Sequence, residues 1–181
     1  MLKQIDRNSL LKSWDLFPSP PWVVELLLEF AQIKPGMLCL DPSAGFGDIA
    51  ISIRKAGGIV EVVEIIPELQ TDLTLQGFTL VGSDFLTTCN LNNCYQRVIQ
   101  NPPFSQQISH VKKAYQSLAT QGRLVSLISN TPWLHNTSFY KQFRYWLNTV
   151  GAQVQELPWG LFVNSNRYTQ VECYLITIDK T

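Results

Sequence analysis

Met37-Leu38-Cys39-Leu40-Asp41 runs into Pro42-Ser43-Ala44-Gly45-Phe46-Gly47-Asp48 and then Ile49-Ala50-Ile51-Ser52-Ile53-Arg54-Lys55, which reads as strand, glycine turn and helix in direct succession. An apolar run of strand length followed by a glycine turn and a helical pattern is the opening of an α/β sheet. Such a turn brings a backbone and a helix N-terminus close to a nucleotide-like ligand. The three-glycine dinucleotide fingerprint is incomplete, because no glycine follows at its third place. Asp41 and Asp48 flank the loop with negative charge, which repels a pyrophosphate and suits a ligand carrying an ammonium or sulfonium.

Working outward, three further strand patterns end on polar residues. Ile59-Val60-Glu61-Val62-Val63 ends at Glu64, 23 residues after Asp41, where an acid is placed to accept from ribose hydroxyls. Phe78-Thr79-Leu80-Val81 leads through Gly82-Ser83 to Asp84-Phe85, a carboxylate for an adenine amine and a ring to pack on the base. Arg97-Val98-Ile99-Gln100 ends at Asn101-Pro102-Pro103-Phe104. In an open α/β sheet these tips line one crevice.

The tetrapeptide is stiff, because each proline fixes its own φ and holds the residue before it extended. Neither proline donates an N–H, so the loop presents acceptors: the Asn101 side-chain oxygen and backbone carbonyls. Two acceptors beside the flat face of Phe104 suit a planar –NH₂. Taken alone, the tetrapeptide reads equally as a proline-rich turn.

Together these residues resemble the class I S-adenosylmethionine-dependent methyltransferases that act on amino groups, most closely the N6-adenine enzymes of DNA and RNA. The resemblance extends from about Leu16 to Ile178. It implies a Rossmann-like, doubly wound sheet of about seven strands with the last antiparallel, and S-adenosylmethionine as cofactor. It assigns residues 41–47 to the cofactor loop, with Asp41, Pro42, Ser43, Ala44, Gly45 and Gly47 as contacts. Phe17, Pro18 and Ser19 hold the methionine part, Glu64 and Ile65 the ribose side, and Asp84 and Phe85 the adenine. Asn101, Pro102, Pro103 and Phe104 form the catalytic loop, with Asn101 also bordering the cofactor. Gly122-Arg123-Leu124-Val125-Ser126-Leu127-Ile128 resembles the fifth strand. Strands over 152–157 and 170–178 complete the sheet as a hairpin, and helices are expected over 21–32, 47–56, 67–76, 106–120 and 138–150. A related loop also serves enzymes that methylate a glutamine amide in protein, and a cofactor-binding subunit needing a partner protein is a further alternative.

Length and composition fit one catalytic domain over residues 1–181, with 1–15 as an N-terminal extension and no separate target-recognition domain. The 181 residues are 45% apolar, enough for one sizeable core. No apolar stretch approaches a membrane span, and the charged start lacks a signal-peptide pattern, so a cytoplasmic location is expected. Of four cysteines, Cys39 and Cys173 read as buried small hydrophobes. Cys89 and Cys94 flank a loop with no second pair, so no metal is assigned. His110 is expected to be solvated.

The net charge of zero argues against an unaided grip on a long phosphate backbone. Lys112 with Lys113, Lys141 with Arg144, and Lys3, Arg7 and Lys12 read as solvated faces. Trp133, after the fifth strand, and Arg167, within the aromatic and amide-rich stretch 159–169, are the candidate substrate contacts. Trp133 and Trp159 read equally as base contacts or as hydrophobic lids.

Overall fold

The apolar runs form strands, and the strands join in one seven-stranded sheet. The computed structural model describes residues 7–158 and 171–181. β1 (Leu38–Asp41), β2 (Ile59–Val63), β3 (Thr79–Gly82), β4 (Tyr95–Gln100) and β5 (Leu118–Ser129) are parallel. β7 (Cys173–Asp179) pairs antiparallel with β5, and β6 (Gln153–Glu156) pairs antiparallel with β7, so the expected antiparallel last strand is present. The order across the sheet is β3-β2-β1-β4-β5-β7-β6. Chain direction across the sheet therefore reverses between β1 and β4, and a crevice opens beyond their carboxyl ends.

Helices cover both faces. α2 (Pro21–Ala31) and α3 (Asp48–Lys55) bury Val23, Leu27 and Ile53 against Ile99, Val125 and Leu175. On the opposite face α5 (Gln107–Ser117) and α7 (Ser138–Thr149) bury Val111, Ala114, Phe143 and Leu147 against Val98, Leu124 and Ile176. Neighbouring residues of the central strands thus serve opposite cores, which is why those strands are continuous apolar runs. α4 (Pro67–Leu75) packs beside β3, and all four residues of the edge strand β6 are exposed.

Three elements differ from expectation. Residues 7–13 of the supposed extension form a helix, α1 (Arg7–Ser13), whose Leu11 is buried with Phe46, Ile66 and Leu69. The helix expected to reach residue 120 stops at Ser117, because Leu118 already pairs with Tyr95. The next pairing is Arg97 with Arg123, so β5 carries three extra residues there in a bulge. Gln121 has φ 62 in that bulge, and a Cβ on Gly122 would lie 2.8 Å from the Ala119 carbonyl and 2.9 Å from that of Tyr95. Pairing in the sheet outweighs helix propensity at this point. After β5 comes a one-turn helix, α6 (Thr131–Leu134), where no helix was expected. No described helix is long and apolar enough to cross a membrane.

Candidate active site

A cleft of about 220 Å³ opens at the tips of β1, β2, β3 and β4, large enough to be a ligand site rather than a gap for one water. Pro42, Ser43, Ala44 and Gly45 line it from the first loop, Glu64 and Ile65 from the second, Asp84 and Phe85 from the third, and Asn101, Pro102 and Pro103 from the fourth. Phe17, Pro18 and Ser19 cross from the N-terminal side. The structure thus brings together nearly all the residues that sequence singled out.

Phe104 lines a neighbouring groove instead of the cleft, and two others stand behind the wall. Asp41 is fully buried beneath the loop, with Oδ1 accepting from the Ser43 N–H at 3.4 Å and Oδ2 without a partner. Burial pushes its carboxyl up to about 8, and the nearby charges of Glu64 and Asp48 act in the same direction. Gly47 turns the chain into α3 at φ 87, and a Cβ there would meet the Leu73 side chain at 3.0 Å. Neither residue lines the cleft, so both act on the loop rather than on its contents.

Glu64 joins the first two tips. Its Oε2 accepts from the Gly45 N–H at 2.6 Å and its Oε1 from the Ile66 N–H at 2.9 Å, while Ala44 donates to the Val63 carbonyl. Burial raises its carboxyl above the ordinary value against these lowering hydrogen bonds. Asp84 is held by the Leu86 N–H at 2.9 Å, and Phe85 is buried behind it.

Asn101 is fixed in one orientation. Its Nδ2 donates to the Phe17 carbonyl at 2.8 Å and to Ser19 Oγ at 3.1 Å. A carbonyl only accepts, so the amide nitrogen must face it, and Oδ1 turns the other way, buried and without a partner. The turn Phe104–Gln106 follows. Its Ser105 N–H donates to Asp15 Oδ2 at 2.8 Å, and the Phe104 ring stacks on Phe17 with centroids 5.1 Å apart. Residues 14–19 are therefore strapped across the tetrapeptide loop.

His110 is the main correction. Far from being solvated, it is buried at the cleft wall, with Nδ1 3.2 Å from Ser43 Oγ and its ring 5.4 Å from Phe85. Burial pushes its pKa down to about 4, leaving the imidazole neutral. The i, i+3, i+4, i+7 set Gln107, His110, Val111 and Ala114 marks the buried face of α5 and was the available signal. Trp14 and Asp15 in the strap had no such signal.

Trp133 faces the core and stacks on Tyr174 at 4.4 Å, away from the cleft. Arg167 and Trp159 lie outside the described residues. Lys113 is committed to the Leu86 and Thr88 carbonyls, and Arg144 to the Pro132 and His135 carbonyls, so neither is simply a solvated charge. Cys39 and Cys173 are buried and Cys89 and Cys94 exposed, and among the described residues no His, Cys, Asp and Glu group is arranged to hold a metal ion.

No protein-family model matches the sequence, and no curated protein matches it by sequence. Solved structures do resemble the fold. The M protein of the type I restriction enzyme EcoKI superposes with a TM-score of 0.75 at 13% identity, over 93% of this chain and 44% of that one. A Listeria monocytogenes protein assigned as a class I S-adenosylmethionine-dependent methyltransferase gives 0.68 at 16% identity, over 94% and 64%. Geranyl diphosphate methyltransferase in complex with S-adenosylmethionine gives 0.68 at 15%, over 89% and 85%. The chain thus spans less than two thirds of the first two. At these identities the likeness is one of architecture, and the architecture is the class I methyltransferase fold.

Proposed function

We propose that the protein transfers a methyl group from S-adenosylmethionine to the exocyclic N6 amine of adenine in a nucleic acid, DNA before RNA. The observation that carries this reading is the buried, unpaired Oδ1 of Asn101 on a proline-stiffened loop at the cleft. An acceptor left without a donor costs roughly 1–3 kcal/mol, and an incoming –NH₂ removes that cost.

The residues fit the cofactor. Glu64 and Asp84 offer carboxylates to ribose hydroxyls and an adenine amine, Ile65 and Phe85 offer apolar surface, and Phe17, Ser19 and residues 42–45 would hold the methionine end. When bound, S-adenosylmethionine supplies a methyl carbon made electrophilic by its sulfonium. The chain's own part is to present the nucleophile. Asn101 Oδ1 and the Pro102 carbonyl accept the two N–H bonds of the amine, which favours a pyramidal nitrogen with its lone pair aimed along the transfer line. Phe104, stacked on Phe17 and facing the neighbouring groove rather than the cleft, braces the loop. An asparagine amide is no base near neutrality, so the proton leaves to solvent after transfer. In a duplex the adenine must first be flipped out, at a cost of roughly a few kcal/mol.

Zero net charge favours a second reading, methylation of a glutamine amide in protein, which presents the same planar –NH₂. Residues 1–181 are proposed as a catalytic unit whose target recognition comes from its own surface or from a partner protein. The test is incubation with isotopically labelled S-adenosylmethionine and, separately, duplex DNA, single-stranded DNA, ribosomal RNA and a protein extract, followed by digestion and mass spectrometry. N6-methyladenine is the expected product. Label only in glutamine, or in none of the pools, overturns the reading.

A further inference from the structure

The turn after the tetrapeptide borders a second cavity. Ser105 and Gln106 line both the cleft and a separate groove of about 350 Å³ between α5 and the start of α7. Phe104, Phe139 and Tyr140 supply its aromatic walls, and Gln106, Ser109 and Thr131 its polar ones, with no charged side chain in the lining. Phe139 is 56% exposed and meets Tyr140 edge-on at 5.4 Å, while Tyr140 stacks on His135 at 5.7 Å. One exposed aromatic is unremarkable, but Phe139 at a cavity that borders the tetrapeptide turn offers a ring face with Tyr140 edge-on beside it.

We infer that this groove seats an unpaired nucleobase next to the target adenine, stacked on Phe139 with Tyr140 at its edge. The inference rests on the nucleic-acid reading of the cleft and adds the site that holds the strand. Flat rings with amide and hydroxyl groups between them match the faces and edges of a base, and an uncharged lining offers no counter-ion to a charged peptide. The occupant is the neighbour and not the target, because Asn101 opens on the cleft and is absent from the groove. Stacking here also supplies affinity that a chain of zero net charge does not draw from phosphates.

The probe is a short fluorescein-labelled thymidylate oligonucleotide, which contains no adenine to methylate. Its binding is followed by fluorescence anisotropy. Phe139→Ala is expected to weaken binding about tenfold and Phe139→Trp to restore it. On an adenine-containing strand Phe139→Ala is expected to raise KM by a similar factor at unchanged kcat. Wild-type affinity in Phe139→Ala, or no wild-type binding to the oligonucleotide, overturns the inference. Adenine methylation that persists with unaltered KM in Phe139→Ala rejects the groove and leaves the cleft's reading intact. Methylation of protein alone rejects the reading of the cleft and the groove with it.

Discussion

Asn101 is held by two acceptors that accept only from its nitrogen in this arrangement, the Phe17 carbonyl and Ser19 Oγ, so the direction of its oxygen is a consequence of packing. Asn101→Ala is expected to lower the methyl-transfer rate by about 10²–10³, the scale of losing one donor or acceptor aimed at the reacting group. Binding of S-adenosylhomocysteine, measured by calorimetry, should change only severalfold. Asn101→Asp should fare no better, since a carboxylate cannot donate to the Phe17 carbonyl. Asp41 and His110 make opposite pH statements. Asp41, raised to about 8, keeps a proton in the folded state that the unfolded chain has lost, so its contribution to stability falls as pH rises from about 4 to about 8. His110, lowered to about 4, is neutral in the folded state while the unfolded chain takes up a proton, so its contribution is present above about 6.5 and is lost as pH falls toward 4. Denaturant melts across this range should show Asp41→Asn gaining stability relative to the parent protein as pH rises from about 4 to about 8. His110→Gln should show the reverse, a steeper loss of stability than the parent protein as pH rises from about 4 to about 6.5.

At the scale of elements, the strap from Trp14 to Ser19 closes the cleft, and it is held by Asp15 on Ser105, Phe17 on Phe104, and Leu16 against Gly45. α1 anchors it through Leu11, packed with Phe46, Ile66 and Leu69. Phe17→Ala removes the stacked ring, and cofactor affinity measured by calorimetry is expected to fall about tenfold, in keeping with an aromatic contact worth about 1 kcal/mol or somewhat more. The other end of the sheet is a separate matter. Gly122 sits in the bulge of β5 against two carbonyl oxygens, so Gly122→Ala is expected to cost about 1–3 kcal/mol in denaturant unfolding, with the activity of the remaining folded protein unchanged. Nearby, Arg97 and Arg123 donate to the Ala31 and Phe30 carbonyls, supplying the C-terminal partners that α2 lacks in its own last turn.

For the whole molecule, charge sets the manner of any nucleic-acid binding. Zero net charge, with Lys113 and Arg144 committed to backbone carbonyls among the described residues, weakens any grip on phosphates. The affinity for single-stranded DNA should therefore fall with salt at a log–log slope of about −2 or shallower, measured by anisotropy between low and physiological salt. Much of this architecture could be read along the chain. Strands buried on both faces must be continuous apolar runs, and the acids and Asn101 at their ends can be read from the sequence. The antiparallel last strand and the part of the cleft from residues 17–19 came from the family resemblance. Side-chain direction could be read from neither. Trp133 turns to Tyr174, His110 faces the cleft, Asp41 stands behind its loop, and the strap meets the tetrapeptide across more than 80 residues of chain. Local pattern determined which elements form and what their tips carry, because backbone propensity and burial act over a few residues. Only the tertiary structure decided which of those side chains meet, because contacts between distant segments are selected by packing and hydrogen-bond satisfaction, and neither leaves a periodic trace in the sequence.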